Sequence, residues 1–591
     1  MVIRLHGATI NNGGVGMKLL RVDMSTKSVR FENVPAQYMG LGGRGLTSII
    51  INTEVPPTCD PLGPQNKLII APGSLSGTPL VNTSRISVGA KSPLTGTIKE
   101  SNAGGTVADA LGRLGITAII VEGTAPEGNL FLLRIDKAGE ASLVSAQEHK
   151  GMRTYALTKE LFKQYGEKNA ILCIGPAGEY KLASASVQSS DVEGRPARAA
   201  GRGGMGAVMG AKGLKAVIVE QGGKSPDAIA NPEAFQEAAK AVAKAIRANP
   251  MSGGMMPALG TAGLVAPVNS LGAFPSYNAR KGVLEGWEKI SGEAMAEMIT
   301  KRGGKTTHMG CSQCIVHCSN EFMDDKGNYV TSALEYETIW SMGGMTGVAD
   351  LDTIARLDFL CDDIGVDTMN TGVAIAIAMD AGYKKFGDAQ AVIDMVEEIA
   401  KGTELGRIIG SGPVAVGKHF NNPRIPAVKG QGVAAYDPRA MQGNGVTFAT
   451  CPMGADHTAG NLVGEYLVGA LDPLKTEGQV ETSRNLQIGV AAIDCTGMCF
   501  MAAVALVEGE GAQAFLNAIN AKFGTQLGPA DIPALGIRVL KAEREFNKKA
   551  GFTEKDDRLP RFYYEEPLPP HNKVFLMSDQ ELDSVFGVLE A

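Results

Sequence analysis

The first third of the chain alternates short apolar runs with polar breaks. Gly, Pro, Asn and Asp residues separate apolar runs at 67–71, 118–122, 130–135 and 216–219. Short apolar runs bounded by turn-forming residues are typical of β-strands. We therefore predict a β-rich domain over residues 1–224, which ends at the polar, proline-containing stretch 224–231.

The pattern becomes helical after residue 231. Phe235, Val242 and Ile246 fall on one stripe at helical spacing. Asn231 is a suitable N-cap because a proline follows it at the first helical position. The same periodicity predicts four helices, at 232–248, 351–362, 389–401 and 537–549. With a second candidate boundary at 421–426, we predict an α+β fold: the N-terminal β-rich domain, then two mainly α-helical domains at 225–425 and 426–591.

Composition and charge narrow the class of protein. The net charge of −6 is spread along the chain without a basic stripe, so we expect no nucleic-acid partner. No apolar run approaches the ~20 residues of a membrane span, and the N-terminus lacks the apolar core of a secretory signal. Nine irregularly spaced cysteines argue for thiols or metal ligands and against a disulfide framework. We expect a cytoplasmic protein without a membrane span.

Glycine is in excess, with 75 residues of 591. The glycines cluster at 41–45, 201–206, 253–263 and 343–347. Such clusters indicate a backbone that turns tightly or lies close to a ligand, since glycine has no Cβ.

The strongest chemical signal is the triplet Cys311, Cys314 and Cys318, with the spacing C-x2-C-x3-C. Three thiolates at this spacing can hold one face of an iron–sulfur cluster, and a fourth ligand then comes from elsewhere in the chain. A zinc ribbon is the alternative, but its second close ligand pair is missing, because the next cysteine is Cys361. Spacing leaves the fourth ligand open among Cys361, Cys451, Cys495 and Cys499.

Two short segments share the form Asp-x-x-Gly-apolar-x. They are residues 362–367 and residues 494–499, and each follows a stretch with helical periodicity. A six-residue echo is weak evidence by itself.

Over nearly its full length the sequence resembles the aldehyde:ferredoxin oxidoreductase family. The triplet and both Asp-x-x-Gly segments carry the resemblance, together with LGGRG at 41–45, APG at 71–73, KSPLTG at 91–96, SNAGG at 101–105, RAAGRGG at 198–204, VMGAKGLK at 208–215, EREFN at 543–547 and DDRLP at 556–560. The resemblance implies a tungsten or molybdenum atom held by two pterins, beside one [4Fe–4S] cluster. It also implies that the β-rich domain forms the base for the pterins.

The resemblance assigns roles to residues of the β-rich domain. The carbonyls of Asn102 and Ala199 would bind a magnesium ion that bridges the pterin phosphates, since Mg²⁺ prefers oxygen ligands. The backbone at Gly104 and Gly201 would approach the cofactor closely. By the same resemblance, Arg198 would neutralise charge near the phosphates, and Arg85 would lie between cluster and pterin.

The same resemblance also assigns roles to residues of the two Asp-x-x-Gly segments. Asp362 and Asp494 would accept hydrogen bonds from the two pterin rings, one from each helical domain. Asp367 would remain a further acceptor, and Met498 would also face a ring. Cys499 would be the fourth cluster ligand.

Acid–base chemistry needs a group that exchanges protons near the substrate. The resemblance covers two stretches that supply one, and we favour Glu337 and His457, with Glu335 as the next choice. The expected reaction is oxidation of an aldehyde to a carboxylic acid, with electrons leaving to ferredoxin or to a dedicated iron–sulfur subunit of a homo- or hetero-oligomer. The alternatives are a low-potential reductase of aryl-CoA thioesters on the same cofactor, or a non-catalytic iron–sulfur subunit.

Overall fold

The computed structural model describes residues 17–222 and 229–590. The strands of its N-terminal part are β1 (Lys18–Asp23), β2 (Ser28–Asn33), β3 (Leu68–Pro72), β4 (Ile86–Lys91), β5 (Ile98–Ala103), β6 (Ile116–Glu122), β7 (Phe131–Ile135), β8 (Ala141–Ser145), β9 (Asn169–Cys173), β10 (Val187–Ser189), β11 (Arg198–Ala200) and β12 (Leu214–Glu220). The helices of this part are α1 (Gly43–Glu54), α2 (Val107–Arg113), α3 (Thr154–Tyr165), α4 (Pro176–Glu179) and α5 (Met205–Ala211). The four apolar runs at 67–71, 118–122, 130–135 and 216–219 correspond to β3, β6, β7 and β12.

The twelve strands form two sheets with the same topology. The first has the order β2-β1-β6-β3-β4-β5, and the second has the order β8-β7-β12-β9-β10-β11, in which every strand number is raised by six. In each sheet one pair is parallel, β1 with β6 and β7 with β12. The two sheets share one buried core that also contains α2 and α5, whereas α1 and α3 cover their outer faces. The β-rich domain is therefore a structural duplication.

The middle of the chain is mainly helical. Its elements are α6 (Pro232–Ala248), α7 (Met256–Leu259), α8 (Val265–Ser270), α9 (Gly292–Lys301), β13 (Lys305–His308), β14 (Ser319–Met323), β15 (Tyr329–Ser332), α10 (Tyr336–Ile339), α11 (Leu351–Ile364), α12 (Thr368–Asp380), α13 (Ala389–Lys401), α14 (Glu404–Gly410) and α15 (Pro413–His419). The strands β13 to β15 form a small antiparallel sheet, and the cysteine triplet lies in the connection between β13 and β14.

The last part of the chain adds nine helices and a short hairpin to the described structure. They are β16 (Ala427–Val428), β17 (Gln431–Gly432), α16 (Gln442–Thr450), α17 (Val463–Leu467), α18 (Gln479–Thr496), α19 (Phe500–Ala503), α20 (Gly509–Phe523), α21 (Asp531–Lys549), α22 (Phe562–Glu565), α23 (Asp579–Ser584) and α24 (Gly587–Glu590). The structure thus confirms the α+β class with an N-terminal β-rich part.

The predicted helices agree with the structure to different degrees. The bounds of α6 and α13 match the predictions, and the Asn231 side chain accepts a hydrogen bond from the Ala234 amide as the N-cap of α6. Helix α21 begins six residues before the predicted start. It accommodates Pro533 in its first turn, where a backbone N–H has no helical partner to lose.

One buried core crosses the predicted boundary at 421–426. It joins Trp340 and Ile377 on one side to Phe448 and Leu540 on the other. The division at 425 therefore stays a prediction, and the boundary at 224 falls on residues outside the described ones. Within the described ranges, every helix is too short or too polar to span a bilayer.

Candidate functional site

A deep cleft lies where the two sheets meet the ends of the long helices. Its cavity volume is about 250 Å³. The predicted residues that line it are Arg85, Asn102, Gly104, Arg198, Ala199, Gly201, Glu335, Glu337, Asp362, Asp367, His457 and Asp494. Met498 is absent from the lining, because its side chain is 1% exposed and packs in a core cluster that includes Cys314.

The duplication of the sheets explains why the cleft has two equivalent halves. Asn102 pairs with Ser87 in the first sheet, and Ala199 pairs with Gln188 in the same place of the second sheet. The amide of Arg85 donates to the carbonyl of Gly497, and the equivalent amide of Ser186 donates to the carbonyl of Gly365. Each half therefore binds one Asp-x-x-Gly segment in the same way.

The two Asp-x-x-Gly segments end long helices. Gly365 and Gly497 follow α11 and α18 with φ of +74° and +80°, the left-handed region that favours glycine. This turn leaves Asp362 and Asp494 on the cleft wall. Burial raises the pKa of Asp494 to about 7, and burial with the neighbouring Asp358 raises the pKa of Asp362 well above its usual range. Both carboxyls are poised to share hydrogen bonds with a polar ligand.

Asp367 already has backbone partners. Its two oxygens accept from the amides of Met369 and Asn370 at 3.0 and 3.1 Å and so cap α12. Arg202 lies beside it, with Nε 3.7 Å from Oδ2. Asp367 therefore positions α12 at the cleft as well as lining it.

The four predicted thiol ligands lie together beside the cleft. Burial and then the neighbouring thiols Cys311 and Cys499 raise the pKa of Cys314 to about 11. Burial and Cys499 likewise raise the pKa of Cys318. Cys495 lies elsewhere, with its thiol donating to the Ala491 carbonyl within its own helix at 3.0 Å. A closely spaced set of four thiols, of which Cys314 is buried and the others are partly buried, is the donor set that an iron–sulfur cluster requires.

Asn82 ties the cysteine loop to Cys499. Its Nδ2 donates to the Cys314 sulfur at 3.3 Å, and its Oδ1 accepts from the Ile315 amide at 3.1 Å. Its carbonyl accepts from the Cys499 amide at 2.8 Å. The sequence analysis missed Asn82, and its only signal is its position between the APG motif and Arg85.

Two arginines separate the thiols from the cleft. Arg85 donates from Nε to Asn102 Oδ1 and from Nη2 to the Asn102 carbonyl. A Cβ on Gly104 would lie 2.4 Å from the Cys311 sulfur, so this glycine makes room for the cysteine loop. Burial opposes the charge of Arg198, but Cys311 and Glu335 beside it raise its pKa.

Glu337 and His457 face each other in the cleft. His457 Nε2 lies 3.6 Å from Glu337 Oε1, which also accepts a hydrogen bond from the Tyr436 hydroxyl at 3.3 Å. Burial, followed by repulsion from Glu335, raises the pKa of Glu337 to about 7. Burial lowers the pKa of His457 to about 4, so the ring is neutral at neutral pH. Glu335 differs, since its side chain is 47% exposed and pairs with Arg198.

An ion pair lies next to His457, whose Nδ1 is 3.9 Å from Asp456 Oδ1. Lys99, only 1% exposed, donates to Asp456. Burial opposes ionisation of Asp456, but the Lys99 charge holds its pKa well below its usual range. The sequence analysis missed this pair and also Tyr436, because the partners lie far apart in the sequence.

The lining fits a large anionic cofactor. The Nε atoms of Arg198 and Arg202 are buried and have no hydrogen-bond partner among the residues that the structure describes. Buried donors normally have one, so these two point to a ligand. A Cβ built on Gly201 would find no atom nearer than Asp367 Oδ1 at 3.7 Å, so open space faces this backbone.

Family models match almost the whole chain. The N-terminal domain of aldehyde ferredoxin oxidoreductase matches residues 19–221, and domains 2 and 3 match residues 237–586. The chain belongs to the aldehyde ferredoxin oxidoreductase family. It is an oxidoreductase of that family, as the resemblance predicted.

Several relatives extend this comparison. The chain is 33% identical to the tungsten-containing aldehyde ferredoxin oxidoreductases of Pyrococcus furiosus and Thermococcus kodakarensis over 576 residues, covering 93% of this chain and 92% of each relative. It is 25% identical to the WOR-like subunit of an aliphatic sulfonate oxidoreductase of Pyrococcus furiosus, covering 93% and 90%. The active-site complex BamBC of benzoyl coenzyme A reductase shares the fold, with a TM-score of 0.79, 20% identity and coverage of 97% and 94%.

A buried ion pair of this family member joins the β-rich part to the last long helix. Arg44 binds both oxygens of Glu543 at 2.9 Å, and Arg44 Nη1 lies 3.5 Å from Asp494 Oδ2. Glu543 is fully buried and also accepts from Ser48 at 2.8 Å. The pair therefore fixes Asp494 at the cleft.

The substitution Glu543→Gln is expected to destabilise the protein by about 3 kcal/mol, because the buried Arg44 loses its two-oxygen carboxylate partner and keeps only the longer contact to Asp494. The matched control is Glu545→Gln on the same helix, whose exposed partner Lys549 makes the change cost about 0.5 kcal/mol or less. Guanidinium unfolding midpoints of the purified variants measure the difference. Equal midpoints for the two variants would contradict the role of the buried pair.

Proposed function

We propose that this chain oxidises small aldehydes to carboxylic acids in the cleft, and passes the electrons to a ferredoxin or a dedicated iron–sulfur subunit. The observation that carries the proposal is the approach of Glu337 to His457, in a cleft whose wall also holds Asp362 and Asp494. The names of the relatives that are 33% identical support the same reaction here. We place the enzyme in the cytoplasm, as a homo- or hetero-oligomer.

The residues present fit the cofactors of such an enzyme. Asp362 and Asp494 would hold the two rings of a tungsten or molybdenum bis-pterin, and the carbonyls of Asn102 and Ala199 would bind the bridging magnesium. A [4Fe–4S] cluster would be held by Cys311, Cys314, Cys318 and Cys499. When bound, the metal–pterin group supplies a two-electron acceptor and the cluster supplies a one-electron relay.

Side chains of the protein would accept and hold the protons that the reaction releases. Oxidation of an aldehyde to an acid consumes one water and releases two protons with two electrons. Glu337, with its pKa of about 7, can accept a proton from the attacking water near neutral pH. The neutral ring of His457 can hold a hydrogen bond to the substrate without competing for that proton.

Aldehyde-dependent reduction of a viologen dye by the purified enzyme tests the proposal, together with tungsten, molybdenum, iron and pterin analysis. We expect one pterin-bound metal, one cluster and turnover with a panel of short aldehydes. Turnover of an aryl-CoA thioester without aldehyde activity would instead establish the reductase alternative. Iron without tungsten, molybdenum or pterin would establish a non-catalytic subunit, and either result overturns the proposal.

A further inference from the structure

A second group of ligand-type side chains lies outside the cleft. Glu193 belongs to the turn that joins β10 to β11, His308 ends β13, and Glu321 lies in β14. Their ligand atoms all lie within 4.8 Å of one another. The group therefore joins the second sheet of the β-rich part to the small sheet that flanks the cysteine triplet.

His308 is the buried member with an unused nitrogen. The residue is 5% exposed, and Nδ1 lies 3.0 Å from the Ser319 hydroxyl. Nε2 is buried, and within residues 17–222 and 229–590 it has no hydrogen-bond partner. A hydrogen bond at Nδ1 is the usual support of a histidine that binds metal through Nε2.

Both carboxylates face this nitrogen. Oε1 of Glu193 lies 3.4 Å from His308 Nε2, and Oε1 of Glu321 lies 3.9 Å from it. Ligand atoms bonded at about 2.0–2.2 Å to one zinc ion lie about 3.3–3.6 Å apart in a tetrahedron. Small movements of these side chains would therefore bring the ligand atoms to the separations that a tetrahedral ion requires. Glu193 is 35% exposed in its side chain, which leaves room for a water as the fourth ligand.

Two cations already neutralise the carboxylates. Arg195 contacts Glu321 at 2.6 Å and Glu193 at 2.7 Å, and it is fixed by stacking 4.3 Å from the Tyr329 ring. Lys305 lies 2.8 Å from Glu321 but is 53% exposed, so it can leave to solvent. A divalent ion would replace Lys305 and satisfy Nε2 of His308, which no protein atom does.

We propose that Glu193, His308 and Glu321 bind one divalent first-row metal ion, zinc or ferrous iron, which fastens the cysteine loop to the β-rich base. His308 forms a β-bridge with Cys318, so an ion here would restrain a cluster ligand directly. Two carboxylates and one imidazole form a ligand set that such ions accept. The site is independent of the aldehyde chemistry proposed above.

Zinc is the probe for the test. The anoxic holoenzyme is treated with EDTA, dialysed against ZnCl₂, gel-filtered and analysed for zinc and iron. We expect about one zinc per chain, with the iron content unchanged from that of the EDTA-treated protein before zinc is added. His308→Gln and Glu193→Gln should each lower zinc affinity at least about tenfold. Lys305→Met should bind zinc at least as tightly as the wild type, because it removes the competing cation.

Glu148→Gln is the matched control, since Glu148 also approaches a buried histidine, His149, at 3.6 Å but lacks a second carboxylate. It should bind zinc like the wild type. The absence of zinc from both the wild type and Lys305→Met overturns the proposal, as does equal zinc binding by His308→Gln. Zinc gained at the expense of the iron that remains after EDTA treatment also overturns it, because the zinc then occupies the thiols. Glu193→Gln changes a surface side chain, so its result does not depend on whether His308→Gln folds.

Discussion

Replacing Glu337 with glutamine is expected to lower kcat/KM for aldehydes about 1000-fold, within the usual range for a lost general base. Glutamine keeps the size of the side chain and its contact with Tyr436, but it cannot accept a proton. Metal, pterin and iron contents should stay those of the wild type. The measurement is aldehyde-dependent viologen reduction.

The control is Glu335→Gln, which changes the exposed carboxylate two residues away. It should retain most of the activity, because Glu335 pairs with Arg198 and does not contact His457. Equal losses in both variants would contradict the assignment of the base to Glu337.

The same group sets the expected pH dependence. Glu337 must be ionised to take a proton, and its pKa is about 7. The value of kcat/KM should therefore fall tenfold per unit below pH 7 and level off above it. Glu335 contributes to the raised pKa by repulsion, so Glu335→Gln should move this limb to lower pH. A limb that stays in place in Glu335→Gln and persists in Glu337→Gln would identify a different titrating group.

Local sequence patterns were sufficient to predict the elements whose formation depends only on residues close together in the sequence. The stripe and cap at 231–248 predict α6 because an amphipathic helix with an N-cap and a proline at its first position needs no distant partner. Helix α1 was missed, since the glycines at 42–45 resemble a turn. In the structure they let α1 approach other backbone: a Cβ on Gly43 would lie 2.0 Å from the Asp494 carbonyl oxygen.

One part of the candidate site could be predicted because its motif occurs twice in the sequence. The two Asp-x-x-Gly segments mark two helix ends that bind equivalent positions of the duplicated sheets. The sequence alone shows that the segment is repeated, but it does not show that the sheets are duplicated. Tyr436, Asn82 and the Lys99–Asp456 pair act through contacts between distant segments. Their residue types are common on any surface, so only the folded arrangement distinguishes them.

Cys499→Ala is expected to remove the iron–sulfur cluster from the purified protein, and Cys495→Ala is expected to leave it intact. Cys314 and the three thiols around it would supply one ligand to each iron of a cubane, so losing one would expose an iron to solvent. Cys495 packs on Gly45, where a Cβ would lie 2.7 Å from its sulfur, and makes no contact that a cluster would need. Iron content should fall well below the wild-type level of about four per chain only in the first variant.

Measurements of electron transfer and of circular dichroism distinguish loss of the cluster from loss of folding. Without the cluster, the enzyme should lose aldehyde-dependent reduction of ferredoxin, while its circular dichroism stays that of the wild type, because Cys499 only begins the four-residue helix α19. Because Asn82 holds the Cys499 amide through its backbone carbonyl, that contact persists in the alanine variant and keeps the loop in place. If Cys499→Ala kept the wild-type iron content and Cys495→Ala lost iron, Cys495 would be the fourth ligand. That assignment would also require the end of α18 to unwind, since the Cys495 thiol now donates to the Ala491 carbonyl inside that helix.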